Sequence, residues 1–236
     1  TGVDHLPMEQ CKQKNITVCN AAGYSTSAVA ELTISMAISL IRKVVELDSS
    51  TRTGRTREGF LGGELHGKTF GIVGLGAIGE KVAQFANAFG CNVIAYTRTP
   101  KEVEGVTLVD LEELFSAADI VSLHIPATAK TIGIVNSGLI SKMKKNAVLI
   151  NTARGTLVDY SALAKSIRSG LIAGAAVDVY ENEPPIEKDH PLLNVPNTIL
   201  LPHIGYATTE AIDRRTEIVL ENIRCWLKNN PQNVVV

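Results

Sequence analysis

Short stretches of this chain are almost continuously apolar and rich in β-branched residues: TFGIVG (69–74), NVIAYT (92–97), DIVSLH (119–124), AVLINT (147–152), AGAAVDV (173–179) and TILLPH (198–203). None alternates apolar with polar, so each reads as a strand covered on both faces. Helical patterns separate them, among them AIGEKVAQFANAFG, stopped by Gly90, and DYSALAKSIRSG, which runs from Asp159 to Gly170. Strand–helix alternation at this spacing predicts an α/β fold built on a doubly wound parallel sheet of the Rossmann type, with right-handed crossovers.

The pattern changes at both ends. Residues 1–26 hold one strand-like run, ITVCN, and a helix expected over Thr208–Lys228 follows the last strand without an obvious place on the sheet. The reading is therefore a main domain over 27–205, with 1–26 and 206–236 belonging to a second lobe. The run AVAELTISMAISLI (Ala28–Ile41) is interrupted by Glu31, Thr33, Ser35 and Ser39 and is too short to span a bilayer; it predicts a buried helix that also packs on a partner subunit. The charged stretch DSSTRTGRTREGFLGGELHGK, ending at Lys68, reads as an exposed excursion before the first sheet strand.

Composition narrows the class. A chain of 236 residues that is 45% hydrophobic and 20% charged is globular, and its net charge of −1 supplies no field for nucleic acid or an anionic membrane. Four cysteines without C-x-x-C pairing, and no secretory signal, fit a reduced, cytoplasmic protein.

Chemistry then enters at strand ends. Gly74, Gly76 and Gly79 form G-x-G-x-x-G directly after a strand and before a helix, where helix N-terminal amides can meet a pyrophosphate. The acidic residue that usually follows about twenty residues later to hold a ribose hydroxyl is missing. Thr97, Arg98 and Thr99 stand there instead, a guanidinium and two hydroxyls suited to a 2′-phosphate, so NADP is expected to be preferred over NAD. Beyond later strands lie Arg154 in NTARG, Glu183 in VYENEPP and His203 in LPHIG. A guanidinium to grip a carboxylate, with an imidazole and a carboxylate partner, suggests acid–base chemistry on a small acid. His124 is the rival acid/base.

The motifs GVDHL, STSAVAEL, GKTFGIVGLGAIG, DIVSLHIPAT, NTARGTLVD, GAAVDVYENEP and LPHIGYAT, in this order, resemble the D-isomer-specific 2-hydroxyacid dehydrogenases over essentially the whole chain. The resemblance implies hydride transfer between NAD(P)H and a small 2-oxo or D-2-hydroxy acid, as in glyoxylate/hydroxypyruvate reductases and phosphoglycerate dehydrogenases. It implies Arg154 as binder of substrate carboxylate and carbonyl, His203 as general acid/base and Glu183 as its partner. Asp178 would contact the nicotinamide amide, His124 and Pro126 would wall the cofactor pocket, and Ala77, Ile78, Thr131, Thr152, Ala153 and Gly205 would complete the cofactor contacts. A homodimer through the Ala28–Ile41 helix is implied, and the chain ends would be remnants of a flavodoxin-like substrate lobe whose N-terminal part precedes GVDHL. The alternative is an NAD(H)-sensing protein like the corepressors of the same family. Formate dehydrogenases of the family carry an amide where Glu183 stands, which argues against that activity.

Overall fold

The computed structural model describes residues 2–3, 6–183 and 185–236. Asp4 and His5 of the GVDHL motif lie outside the described residues. The chain divides into two compact units, Ala30–Ile204 and the pair of segments Thr1–Val29 with Gly205–Val236.

The larger unit is a seven-stranded sheet. Its strands are β1 (Thr69–Val73), β2 (Asn92–Tyr96), β3 (Val106–Leu108), β4 (Ile120–Leu123), β5 (Val148–Asn151), β6 (Gly174–Val177) and β7 (Thr198–Leu200). They pair in the order β3-β2-β1-β4-β5-β6-β7, every pair parallel. The expected apolar runs all became strands, trimmed by a residue or more at their polar ends. The edge strand β3 was not expected: its three residues, VTL, are largely exposed and carry little apolar signal.

Helices cover both faces. They are, in chain order, α1 (Met8–Gln13), α2 (Thr26–Ile41), α3 (Val44–Arg52), α4 (Ala77–Ala88), α5 (Leu111–Ala117), α6 (Ser137–Ile140), α7 (Tyr160–Arg168) and α8 (Thr209–Leu227), with a 3₁₀ turn at Gly155–Leu157. On one face Phe70, Ile72, Val93, Ile120, Val148 and Ile150 pack with Ile34 and Met36 of α2 and Val82 and Ala86 of α4. On the other, Val121, Leu123, Leu149 and Val177 pack with Leu114 of α5, Ile140 of α6 and Leu163 and Ile167 of α7. Neighbouring strand residues thus serve opposite cores, which explains the unbroken apolar runs. Each fully buried aliphatic side chain contributes about 1.5–3 kcal/mol of transfer free energy. Helix starts follow the sequence: Asp110, Asn136 and Asp159 accept from the amides of Glu113, Leu139 and Ala162. The charged excursion begins inside α3, and its Leu65 is buried rather than exposed.

In the other unit, the strand expected at ITVCN is a correction. Among the described residues it reduces to one antiparallel bridge, Cys19 with Val234, flanked by backbone bonds from Val235 N to Val18 O and from Asn20 N to Asn233 O, too short a pairing to make a strand. Thr208 caps α8 through the amide of Ala211. Inside the unit, buried Asn222 of α8 donates to Asn20 O at 2.9 Å and accepts from Asn233 at 2.8 Å, while Arg214 donates to Tyr24 O at 2.9 Å.

Candidate active site

The order of the strands reverses at β1 and β4, and in such sheets the crevice beyond the carboxyl ends at the reversal receives the ligand. The glycine turn lies there. A Cβ on Gly79 would sit 2.0 Å from Gly74 O, so only glycine lets α4 start this close to β1. Gly76 is the N-cap of α4 and is exposed, with open space where its Cβ would point; Ala77 and Ile78 form the first turn. The turn therefore offers bare amides on a helix N-terminus, a cradle that fits a pyrophosphate.

Beside it, beyond β4, His124 N donates to Val73 O at 2.8 Å. The ring Nε2 of His124 is 3.0 Å from the hydroxyl of buried Ser122, and desolvation lowers its pKa from 6.5 to about 3. It is neutral at physiological pH. Pro126 is exposed, and its carbonyl accepts from the Thr131 hydroxyl at 2.7 Å, which fixes the loop after β4. Beyond β2, the Thr97 hydroxyl donates to Thr99 O at 3.4 Å and Arg98 is exposed, with no hydrogen-bond or ion-pair partner among the described residues.

The ends of β5, β6 and β7 carry the remaining residues. After β5, Thr152 shares a hydrogen bond of 3.2 Å with Thr33 of α2, Ala153 N donates to the Asn151 side chain, and Arg154 follows in extended backbone. The guanidinium of Arg154 donates to Ala153 O at 2.7 Å. After β6, buried Asp178 accepts from Ile204 N at 2.8 Å. His203, beyond β7, has φ 55°, a left-handed conformation that costs a non-glycine residue energy and that surrounding bonds must hold. Two such bonds flank it: the Asp178–Ile204 bond, and Nδ1 of His203 at 2.6 Å from Glu183 Oε1. The other carboxylate oxygen of Glu183 accepts from Tyr180 N at 3.1 Å. The Tyr180 phenol is pushed up to about 12 by burial and by the charges of Asp178 and Glu183.

Glu183 and His203, twenty positions apart in sequence, are thus joined directly, and Asp178 is joined to the residue after His203. Arg154 contributes from the neighbouring strand end. Gly205 is buried and begins the second segment of the other unit. Sequence reasoning missed Asn151, Tyr160 and Ser122, polar groups buried at or near the strand ends. The signal was available for Asn151, the only polar residue of VLIN.

A doubly wound sheet with a glycine turn at its reversal defines an α/β fold of the dinucleotide-binding type, with an arginine and a carboxylate–histidine pair beyond the carboxyl ends of its later strands. The profile described as D-isomer specific 2-hydroxyacid dehydrogenase, NAD binding domain, matches residues 34–205. The chain is 44% identical over 241 residues to the D-3-phosphoglycerate dehydrogenase of Methanocaldococcus jannaschii, covering 99% of this chain and 46% of that protein. It is 39% identical over 247 residues to the glyoxylate reductase of Thermococcus litoralis, covering 99% and 74%. Among solved structures, an acyclic imino acid reductase in complex with NADPH and D-Arg superposes with a TM-score of 0.93 at 36% identity, over 100% of this chain and 76% of that one. The D-lactate dehydrogenase from Aquifex aeolicus, complexed with NAD and lactic acid, gives 0.91 at 31% identity, over 97% and 74%. The chain belongs to the D-isomer-specific 2-hydroxyacid dehydrogenase family. It spans about half the length of the phosphoglycerate dehydrogenase and about three quarters of the glyoxylate reductase.

Proposed function

We propose that this chain carries the nucleotide site and the acid–base residues of an NAD(P)-dependent oxidoreductase that interconverts a small 2-oxo acid and its D-2-hydroxy acid. The observation that carries the reading is the Glu183–His203 pair at 2.6 Å, on the edge of the sheet that also bears Arg154 and the glycine turn. A dinucleotide held there would supply the hydride for the carbonyl carbon in reduction and take it back in oxidation. In reduction, His203 in its imidazolium form gives its Nε2 proton to the oxygen that becomes the hydroxyl, and in oxidation neutral His203 takes that proton back. Glu183 accepts from Nδ1 of His203 and so orients the ring. Arg154 pairs with the substrate carboxylate and with the carbonyl oxygen, where negative charge develops. His124 is the weaker candidate for the proton role, since desolvation disfavours the imidazolium that any proton transfer through it must form.

For the cofactor, Gly74, Gly76, Ala77, Ile78 and Gly79 would hold the pyrophosphate. His124, Pro126, Thr131, Thr152, Ala153, Asp178 and Gly205 would border the remainder, and Thr97, Arg98 and Thr99 would take the 2′-phosphate of NADP, the preferred form. The 1–26 and 206–236 segments would belong to the substrate lobe, and two copies would associate through α2. Solved relatives support NAD(P) use in general: the acyclic imino acid reductase is in complex with NADPH and the D-lactate dehydrogenase with NAD. The corepressor-like alternative shares similar residues at this site, and turnover separates the two readings.

The test is turnover of the full-length protein with glyoxylate or hydroxypyruvate. His203→Ala is expected to lower kcat by about 10²–10⁴-fold, the range of a lost general acid, while cofactor affinity stays within about a few-fold. Wild-type turnover in that variant would remove His203 from the mechanism.

A further inference from the structure

The carboxyl ends of β5 and β6 meet over a buried polar junction that the reaction itself does not use. Asn151, fully buried, closes the otherwise apolar β5. Its amide nitrogen donates to Arg154 O and to the Tyr160 hydroxyl, both at 2.9 Å, and its side-chain oxygen accepts from Ala153 N at 3.1 Å. Its backbone carbonyl accepts from Asp178 N at 2.9 Å. The Tyr160 hydroxyl in turn donates to Val179 O at 2.7 Å. One amide and one phenol therefore tie the loop bearing Arg154 to the loop that runs from Asp178 to Glu183.

The surroundings fix both groups. Tyr160 is the first residue of α7, capped by Asp159, and its ring lies 5.1 Å from that of His190 and 6.5 Å from that of Tyr180. Burial raises the Tyr160 phenol well above its ordinary pKa, so it stays a donor. The two loops also touch directly: a Cβ on Gly155 would fall 2.0 Å from the carbonyl carbon of Tyr180. Burying an amide and a hydroxyl here costs desolvation that an apolar pair would avoid. The return is a fixed relation between the loop that carries Arg154 and the loop that carries Glu183, the carboxylate on His203.

We infer that Asn151 and Tyr160 are positioning residues that set the Arg154 loop against the loop leading to Glu183, so that their loss weakens capture of the 2-oxo acid and not of the dinucleotide. The inference rests on the proposed role of Arg154. It is tested in the full-length protein with Tyr160→Phe, which keeps the ring and removes the hydroxyl, and with Asn151→Asp, which keeps the acceptor for Ala153 N and loses both donors. KM and kcat are measured with glyoxylate and hydroxypyruvate, and NADPH binding is followed by nicotinamide fluorescence.

For Tyr160→Phe the KM for the 2-oxo acid is expected to rise about three- to tenfold, the equivalent of a net hydrogen bond, with NADPH affinity within about twofold. Asn151→Asp is expected to act in the same direction and more strongly. In an Arg154→Ala background the Tyr160→Phe effect is expected to vanish, because both changes then remove the same interaction. A KM like that of the wild type in Tyr160→Phe, an equal loss of NADPH affinity, or an undiminished effect in the Arg154→Ala background would overturn the inference and leave an ordinary packing role. Should Arg154→Ala alone leave kcat/KM unchanged, the proposed function of Arg154 fails first, which separates the two outcomes.

Discussion

At the scale of single residues, the proposed preference for NADP would rest on Arg98 and the two threonines beside it. Arg98 is exposed beyond β2 and has open access to a ligand, and the Thr97 hydroxyl is turned to Thr99 O by a long bond of 3.4 Å that a phosphate oxygen could replace. An exposed guanidinium is screened by solvent, so its contribution falls at the low end for a charge-assisted pair. Titration of both cofactors is expected to favour NADPH over NADH by about 1–2 kcal/mol, and Arg98→Ala to erase most of that difference. Equal affinities in the wild type would refute the assignment of Arg98. The three side chains proposed for chemistry differ in how they could be read. Arg154, Glu183 and His203 were visible as polar residues after strands, whereas the left-handed φ of 55° at His203 and the two bonds that hold it became visible only once Asp178 and Glu183 were folded against it.

At the scale of elements, the sheet is secured at its amino edge as well. Asp119, just before β4, accepts from Thr69 N at 2.8 Å and pairs with Lys144 at 3.0 Å. Burial opposes its charge, yet the Thr69 amide, Lys144 and the field of Lys68 outweigh that and hold its pKa below the ordinary 3.8. A carboxylate with a depressed folded pKa stabilises the fold above its unfolded pKa, and that stability is lost as pH falls through the folded value. Asp119→Asn is therefore expected to lower unfolding free energy by about 1 kcal/mol at pH 7, a modest figure because the group is partly solvated. Denaturant titrations should find the gap between wild type and variant closing below about pH 4; a gap independent of pH would assign the effect to shape instead. Two helix starts, at Asp159 and Thr208, were legible in the sequence, since a side-chain oxygen ahead of an apolar-periodic run is a local feature. The edge strand β3 was not, because its pairing with β2 is all that makes VTL a strand.

At the scale of the molecule, α2 and α4 leave a groove of about 410 Å³ lined by Ile34, Ile38, Phe85 and Phe89 with Glu31, Ser35 and Ser39 at its polar positions. This is the surface of α2 that the proposed homodimer would cover. Light scattering of the full-length protein at micromolar concentration is expected to give a dimer, and Phe89→Asp, at a position already 48% exposed, to shift it toward monomer without unfolding it. A wild-type monomer would count against the assembly. Among the described residues no helix is long and apolar enough to cross a membrane.

The sequence by itself determined what is local or periodic: the strands of the sheet other than its edge strand β3, because burial on both faces demands unbroken apolar runs; the glycine turn, because a strand and a helix that close exclude a Cβ; and the family, because its motifs recur in order. The tertiary structure decided what depends on distant partners. It joined Glu183 to His203 and Asp178 to the residue beyond, neutralised His124 by desolvation, reduced the expected strand at ITVCN to one bridge, and turned Asn151 and Tyr160, unremarked in the chain, into the junction between two site loops. A hydrogen bond between residues of different strands leaves no trace in the periodicity of either, so it exists only when the sheet order brings their ends together.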